Sequence, residues 1–483
     1  MFGCYHRSKM ENQMPEMTLR NITEACSGTY VGSLESMSDT VAGVVIDSRQ
    51  VKQDYLFIPI KGEKVDGHKF IPDVFEKGAI AVLSEHALKD PAGPYILVDS
   101  TTEAMKKIAR FYRERLQIKV VGITGSVGKT STKEMISSVL SQKYSVLKTA
   151  GNFNNEIGLP LTIFHIRAEH EVAVLEMGIS DFGEMHRLAE MANPDICVIT
   201  NIGLCHLENL HTRDGILKAK TESFDHLRPN GIAILNGDDD KLCTQKMVNG
   251  QPAVFYGIGQ EAALDEAGQK MAEKSIYATD IENFGFEGLK AVIHTPAGEF
   301  QAQIPIAGEH NVYNALAATA VGLQMGLTLE EIQAGIAAVE TISGRTNFLE
   351  VHGMTVIDDC YNANPVSMAA SIDVLSHAAG RNIAVLGDMG ELGADEKALH
   401  YGVGKVVGEK KIQTLFAAGT LAKEYADAAQ TVNPDCDVHY FADRESMTKE
   451  LLSYVKEGDT ILVKASHFME FPKVVEALKN LNK

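Results

Sequence analysis

The sequence is short of cysteine, of long apolar runs and of positive charge, and each shortage removes a class of function. There are seven cysteines in 483 residues, at 4, 26, 197, 205, 243, 360 and 436. They are odd in number, widely spaced and form no CxxC pair. This excludes a disulfide framework and a thiolate zinc site, and reads as a reduced chain with scattered thiols. No apolar run approaches the ~18–20 residues that a membrane-crossing helix needs, so no membrane insertion is expected. Lys and Arg number 45 against 64 Asp and Glu, a net charge of −19. That argues against nucleic acid or an anionic membrane surface as partner. An acidic chain can still hold a small anion in a local nest of backbone N–H groups with a few cations. The opening MFGCYHRSKMENQMPEM has no apolar segment of the secretory kind. Residues 1–17 are expected to form a disordered leader, with Met10, Met14 and Met17 as alternative starts, on a cytoplasmic protein.

What is present is ordinary globular composition, 45% hydrophobic and 23% charged, over a length that suits two to four domains. From 18 to 110 the pattern predicts a small α/β domain. VAGVVIDSR (41–49), YLFIPIKGEKVDGHKF (55–70), AIAVLS (79–84) and PYILVDS (94–100) supply its strands. From 111 to 343 apolar strands alternate with helical stretches: IKVVGITGS (118–126), HEVAVLEM (170–177), DICVITNI (195–202) and GIAILNGDD (231–239). Such alternation predicts a mainly parallel sheet with helices on both faces. Residues 275–306 lack helical periodicity and read as antiparallel strands added to that sheet. From 344 to 483 the pattern restarts, with MTVIDDCYNANP, NIAVLGDMGELG, TLFAAG and DTILVKAS each ending in a polar or glycine-rich turn. This predicts a third, doubly wound domain. The fold class is α/β in three domains, with no fixed-period repeat.

The sharpest motif is VVGITGSVGKTSTKEM (120–135). An apolar strand enters a loop of Thr124, Gly125, Ser126, Val127 and Gly128, and Lys129, Thr130 and Ser131 open a helix. Glycines let the backbone wrap a phosphate, the helix N-terminus presents free N–H groups, and Lys129 reaches the β/γ-phosphates. Thr130 carries the hydroxyl that binds Mg²⁺ in such loops. The first glycine of GxxxxGK[ST] is displaced, since position 123 is Ile and the nearest glycine is Gly122. The competing reading is a glycine-rich strand–helix turn with a surface lysine.

Three further residues suggest a metal site. In the helical stretch 212–227, Ile216, Lys220, Phe224 and Leu227 share a face. Lys218 and Glu222 share another and are spaced to pair. An ammonium in the apolar stripe is costly unless paired or chemically changed, although a lysine can also snorkel out. Glu176 ends the strand VAVLEM, where a parallel sheet presents ligands or a carboxylate caps a helix. His206 follows ICVIT and is either a ligand or a structural histidine.

Together these motifs resemble the Mur ligase family of ATP-dependent amide-bond-forming enzymes, over about 41–470. TGSVGKTSTKEM is similar to the family's own phosphate loop. The resemblance implies ATP and Mg²⁺, with two ions held by Thr130, Glu176, His206 and an N-carbamoylated Lys220. It assigns catalytic roles to Lys129, Lys220 and His206. GEHNVYNALAA (308–318), with His310, Asn311 and Asn314, resembles the adenine-side signature, and Arg345 in SGRTN matches an arginine near the phosphates. DDCYNANP (358–365) implies Asp359 near the ribose and Asn362 and Asn364 near substrate. The stretch 46–70, with Ser48 and Arg49, resembles the substrate domain of the two later ligases of the pathway. The two earlier ligases begin with a GxGxxG fold, absent here. GNFNNEIGLP (151–160), with Asn152, Asn154 and Asn155, resembles the branch that adds D-alanyl-D-alanine to UDP-N-acetylmuramoyl-tripeptide. GDMGELG (387–393) replaces the DNPR-type motif of the branch before it. At 464–467 the family's KGSR is KASH here, which exchanges a permanently charged fork for His467. Those two substrates and a monomer are expected. The alternatives are a ligase for another amino acid or dipeptide, and a non-catalytic phosphate-loop relative.

Overall fold

A computed structural model describes residues 14–62, 64–262, 272–340 and 347–481. These form three larger sheets and one two-stranded ribbon. The first sheet has five strands, ordered Thr29–Val31, Tyr95–Leu97, Ala79–Ser84, Tyr55–Phe57 and Gly43–Val45. All its neighbours are parallel except the Thr29–Val31 and Tyr95–Leu97 pair. Residues 14–17 correct the expected leader. Met14 and Met17 are fully buried against this sheet's core, and the Met14 N–H donates to the Val41 carbonyl at 3.1 Å. Two long apolar side chains gain more from burial than from solvation, so the ordered chain includes them. Residues 1–13 lie outside the described residues.

The central sheet has nine strands. Its heart is Lys119–Thr124, flanked in parallel by Val172–Glu176 and Ile196–Ile199. Helices cover both faces, which is why these strands read as continuous apolar runs without alternation. From Lys119–Thr124 the chain builds outward on one side to Val146–Lys148 and Val172–Glu176, then crosses to Ile196–Ile199 on the other. That reversal leaves a crevice beyond the carboxyl ends of the three strands, where open parallel sheets place ligands. The expected antiparallel segment is present as Ile276–Asn283, Leu289–Thr295 and Gly298–Ile304. The helix His310–Gln324 is alanine-rich and buried almost all round, because it lies between the sheet and the helix Lys129–Leu140.

The third sheet is ordered Asn347–Val351, Met354–Asp358, Asp459–Lys464, Arg381–Gly387, Thr414–Ala418 and Asp437–Phe441. Only its first pair is antiparallel. Its helix Pro365–Ser376 starts at Asn364, whose side chain accepts from the Ser367 N–H in a capping box, with Pro at the first turn. The cysteines at 26, 197, 205, 243, 360 and 436 are all unpaired and buried.

Candidate active site

After the exposed Lys119 the strand Lys119–Thr124 is buried, and its chain leaves the sheet through Gly125. Gly125 has φ +147°, and a Cβ there would lie 1.9 Å from Thr200 Oγ1. Gly128 has φ +81° at the N-cap of Lys129–Leu140. Both positions need glycine, the first for space and the second for backbone conformation. The loop is clamped from the neighbouring strand. Thr200 Oγ1 donates to the Val127 carbonyl at 2.6 Å, Asn201 Oδ1 accepts from the Val127 N–H at 3.0 Å, and the Gly203 N–H donates to Ser126 Oγ at 2.9 Å. Thr200 and Asn201 were not picked out from the sequence. Their only signal was a polar TN pair directly after a buried strand. Gly125→Ala is expected to push the loop off Thr200 and weaken ATP-analogue binding at least ~10-fold, measurable by calorimetry. Wild-type affinity would contradict the clamp.

Lys129 Nζ donates to the Gly125 carbonyl at 2.9 Å, across the mouth of the loop it would leave to meet a phosphate. One turn position on, Thr130 Oγ1 donates to Glu176 Oε2 at 2.9 Å. Glu176 is buried at the end of Val172–Glu176, and Asn154 Nδ2 donates to its other oxygen at 2.8 Å. A hydroxyl from the start of helix Lys129–Leu140 and a carboxylate from the end of strand Val172–Glu176 are thus already in contact, with Asn154 holding the carboxylate plane. Lys220 is buried on Arg213–Thr221 beside Ile216 and Ala219. Burial, with Lys129 nearby, pulls its amine down to about 8. The expected pairing of Lys218 with Glu222 does not occur. Glu222 instead accepts from the Gly183 and His186 N–H groups, at the positive end of helix Glu184–Ala192. Lys218 is exposed, with its ammonium 5.8 Å from the Phe182 ring centre.

His206 lines the same cleft as Lys129, Thr130 and Glu176. Among the described residues there is no cluster of three His, Cys, Asp or Glu arranged for a metal. The donors that line the cleft are instead mixed: the Thr130 hydroxyl, the Glu176 carboxylate and the His206 imidazole. Hard oxygen donors with one imidazole fit Mg²⁺, which keeps part of its water shell.

The cleft has a volume of about 840 Å³ and is closed on one side by the third sheet. Asn314 is buried at the start of His310–Gln324. It accepts from Thr132 Oγ1 at 2.7 Å, which ties that helix to Lys129–Leu140, and donates to Asn311 Oδ1 at 2.8 Å. His310 lines the cleft, and burial lowers its pKa. From the third sheet come Asp359, Asn362 and Asn364. Lys464, the first residue of KASH, is buried and donates to Asp359 Oδ2 at 2.6 Å and to the Asn362 carbonyl at 3.1 Å. His467 is exposed, with its ring 6.5 Å from that of Tyr361.

Not every predicted residue meets the cleft. Thr124, Gly125, Asn311 and Lys220 are buried and do not line it. Ser48, Arg49 and Asn152 also lie elsewhere: Arg49 pairs with Asp47, and the Ser48 carbonyl accepts from Lys77. Asn155 does line it, and its side chain accepts from the Gly158 N–H at 2.8 Å where Gly158–Ile163 begins. Arg345 lies outside the described residues.

Three family models match the chain: "Mur ligase family, catalytic domain" over 40–113, "Mur ligase middle domain" over 123–322, and "Mur ligase, glutamate ligase domain" over 344–467. The UDP-N-acetylmuramoyl-tripeptide–D-alanyl-D-alanine ligase of Bacillus subtilis strain 168 is 37% identical, covering 96% of this chain and 99% of the relative. The ligase of the same name from Escherichia coli K12 is 33% identical, with the same coverage of 96% and 99%. Among solved structures, MurF from Acinetobacter baumannii matches with TM-score 0.84 and 30% identity, covering 96% of this chain and 98% of that one. MurF ligase from Thermotoga maritima in complex with ADP matches with TM-score 0.78 and 30% identity, covering 91% and 97%.

Proposed function

The chain belongs to the Mur ligase family, and from that premise we infer that it joins D-alanyl-D-alanine to UDP-N-acetylmuramoyl-tripeptide at the expense of ATP, in peptidoglycan precursor synthesis. The observation that carries this is one cleft in which the phosphate loop, the Thr130–Glu176 contact, Asn154 and the Asp359–Lys464 pair converge. That arrangement lies in a chain alike over nearly its whole length to ligases of this name. No described helix is long and apolar enough to cross a membrane. A cytoplasmic monomer is the reading that suits these substrates.

The tripeptide carboxylate attacks the γ-phosphorus of ATP, ADP leaves, and an acyl phosphate forms. The free amine of D-alanyl-D-alanine then attacks the acyl carbon. The tetrahedral intermediate collapses with loss of inorganic phosphate and a proton. Carboxylate and triphosphate repel each other, so the chain must supply positive charge and alignment. Lys129 exchanges the Gly125 carbonyl for a phosphate oxygen, and the N–H groups opening Lys129–Leu140 face the same oxygens. Thr130 and Glu176 would hold one Mg²⁺, and His206 with carbamoylated Lys220 a second. When bound, the ions neutralise charge on the phosphates and on the developing acyl phosphate. Asn154 keeps the Glu176 carboxylate in plane. In this reading Asn311 and Asn314 support the adenine side, Arg345 the phosphates and Asp359 the ribose, and Asn362 and Asn364 lie near substrate and nucleotide. Ser48, Arg49, Asn152 and Asn155 lie toward the UDP-tripeptide in this reading.

We assign one domain to each sheet, 18–110, 111–343 and 344–483, with residues 14–17 belonging to the first. Each domain would bring one ligand: UDP-tripeptide, triphosphate and dipeptide. Their closure would keep water from the acyl phosphate. Small-angle scattering with an ATP analogue and UDP-tripeptide is expected to give a smaller radius of gyration than the free chain. An unchanged radius would remove closure from the mechanism. The function itself is tested by phosphate release from ATP with UDP-N-acetylmuramoyl-tripeptide and a panel of amino acids and dipeptides. D-alanyl-D-alanine is expected to stimulate release most, and stimulation by a single amino acid instead would overturn the assignment.

A further inference from the structure

The segment GDMGELG leaves the strand Arg381–Gly387 of the third sheet and crosses to the central one. Glu391 Oε2 comes within 2.6 Å of His206 Nδ1. Both residues have left-handed backbones, φ +60° for Glu391 and +51° for His206. Non-glycine residues seldom adopt this conformation, and they keep it where the surroundings demand it. The two loops are in contact. Gly393, at φ +68°, has its Cβ direction aimed at Glu208 N, 3.5 Å away, and Leu207 C, 3.6 Å away. The loop therefore sits on the turn Leu207–Leu210 that directly follows His206. His206 Nδ1 is buried and meets no described group in hydrogen-bond geometry. The group nearest to it is the Glu391 carboxylate. His206 lines the cleft, whereas Glu391 does not.

Metal-bound histidines commonly give their second N–H to a carboxylate, which sets tautomer and ring orientation. We propose that Glu391 is a positioning residue: from the third sheet it orients His206 of the central sheet, so this cation-binding group is complete only when the two parts of the chain are docked. The inference rests on the ligand role proposed for His206. It adds that the segment replacing the DNPR-type motif acts on the cation site.

The test is Mn²⁺ binding to the full chain with a non-hydrolysable ATP analogue, followed by electron paramagnetic resonance, for wild type, Glu391→Gln and Glu391→Ala. One class of Mn²⁺ sites is expected to weaken by roughly 10–100-fold in Glu391→Ala, with Glu391→Gln intermediate. The value of kcat is expected to fall while KM for ATP stays near wild type. If Glu391 acts through His206, the double variant with His206→Ala loses no more than His206→Ala alone. An unchanged Mn²⁺ isotherm overturns the proposal, including where thermal stability drops, and so does full additivity in the double variant. Failure of the ligase reading is distinguishable, because wild type itself would then release no phosphate in response to D-alanyl-D-alanine.

Discussion

Lys220→Ala is expected to lose nearly all ligase turnover, on the order of 10²–10³-fold or more, with the fold intact. The side chain is buried beside Ile216 and Ala219, and its amine is pulled down to about 8 by burial and by the charge of Lys129. A neutral amine reacts with CO₂ to give a carbamate and a proton, so the burial that penalises the ammonium favours the carbamate. The product is an anion where an ammonium would repel both Lys129 and a metal ion. Acetate or formate is expected to restore part of the activity by filling the vacated anion position. Lys218→Ala, altering an exposed lysine over Phe182, is expected to change little. Formation of the carbamate, followed by ¹³C resonance with labelled bicarbonate, should increase as pH rises through about 8, where the amine loses its proton.

Stability supplies an independent readout. The folded pKa lies below the ordinary lysine value of 10.5. Between about 8 and that value the unfolded chain binds more protons, so stability rises with pH across the window. Without CO₂, Lys220→Met should therefore raise the melting temperature at pH 7, where the buried ammonium is fully penalised. Equal turnover for Lys220→Ala and Lys218→Ala, or a crystallographic Lys220 amine pointing to solvent with metal bound, would refute the role.

Lys129→Ala is expected to lower kcat by roughly 10²–10³-fold while melting stays close to wild type. The ammonium donates to the Gly125 carbonyl, and its removal takes one hydrogen bond from the loop. The loop's shape does not depend on that bond, because Thr200, Asn201 and Gly203 hold Ser126 and Val127 from the neighbouring strand. The loss should therefore appear in turnover, where a cation is needed on the transferring phosphoryl group, and not in folding. Phosphate release and thermal melting measured on the same preparation separate the two. Near-wild-type turnover would remove Lys129 from catalysis and with it the phosphate-loop assignment.

The rival reading, a phosphate-loop switch or an inactive relative, predicts neither result. A switch reads nucleotide state and has no use for a buried lysine converted to an anion. Lys129, Thr130, Glu176, His206 and Lys220 are all present in this chain, and the first four line one cleft.

Much of this was legible in the residues. Continuous apolar strands ending in polar or glycine turns predicted parallel sheets, since strands buried on both faces cannot alternate. The run Ile216, Lys220, Phe224 and Leu227 placed a lysine in a core stripe, and all four are buried. Glycines at 125 and 128 marked a phosphate loop because one needs space and the other a left-handed backbone. These are local properties: periodicity, volume and φ are written into a few consecutive residues.

Other features depended on segments far apart in the chain. Nothing near Glu222 announced that it would cap Glu184–Ala192 and leave Lys218 without it. The polar pair Thr200 and Asn201 looked like any turn until the sheet order set it against Val127. Lys464 and Asp359 are 105 positions apart and pair only because their strands are neighbours. Glu391 meets His206 because two separate sheets dock at one cleft. The residues by themselves determined which groups were available: a phosphate-binding loop, oxygen donors and a lysine in an apolar stripe. Only the tertiary structure decided which of these groups face one another. Hydrogen bonds and ion pairs act over about 3 Å, and strand order and docking set those distances.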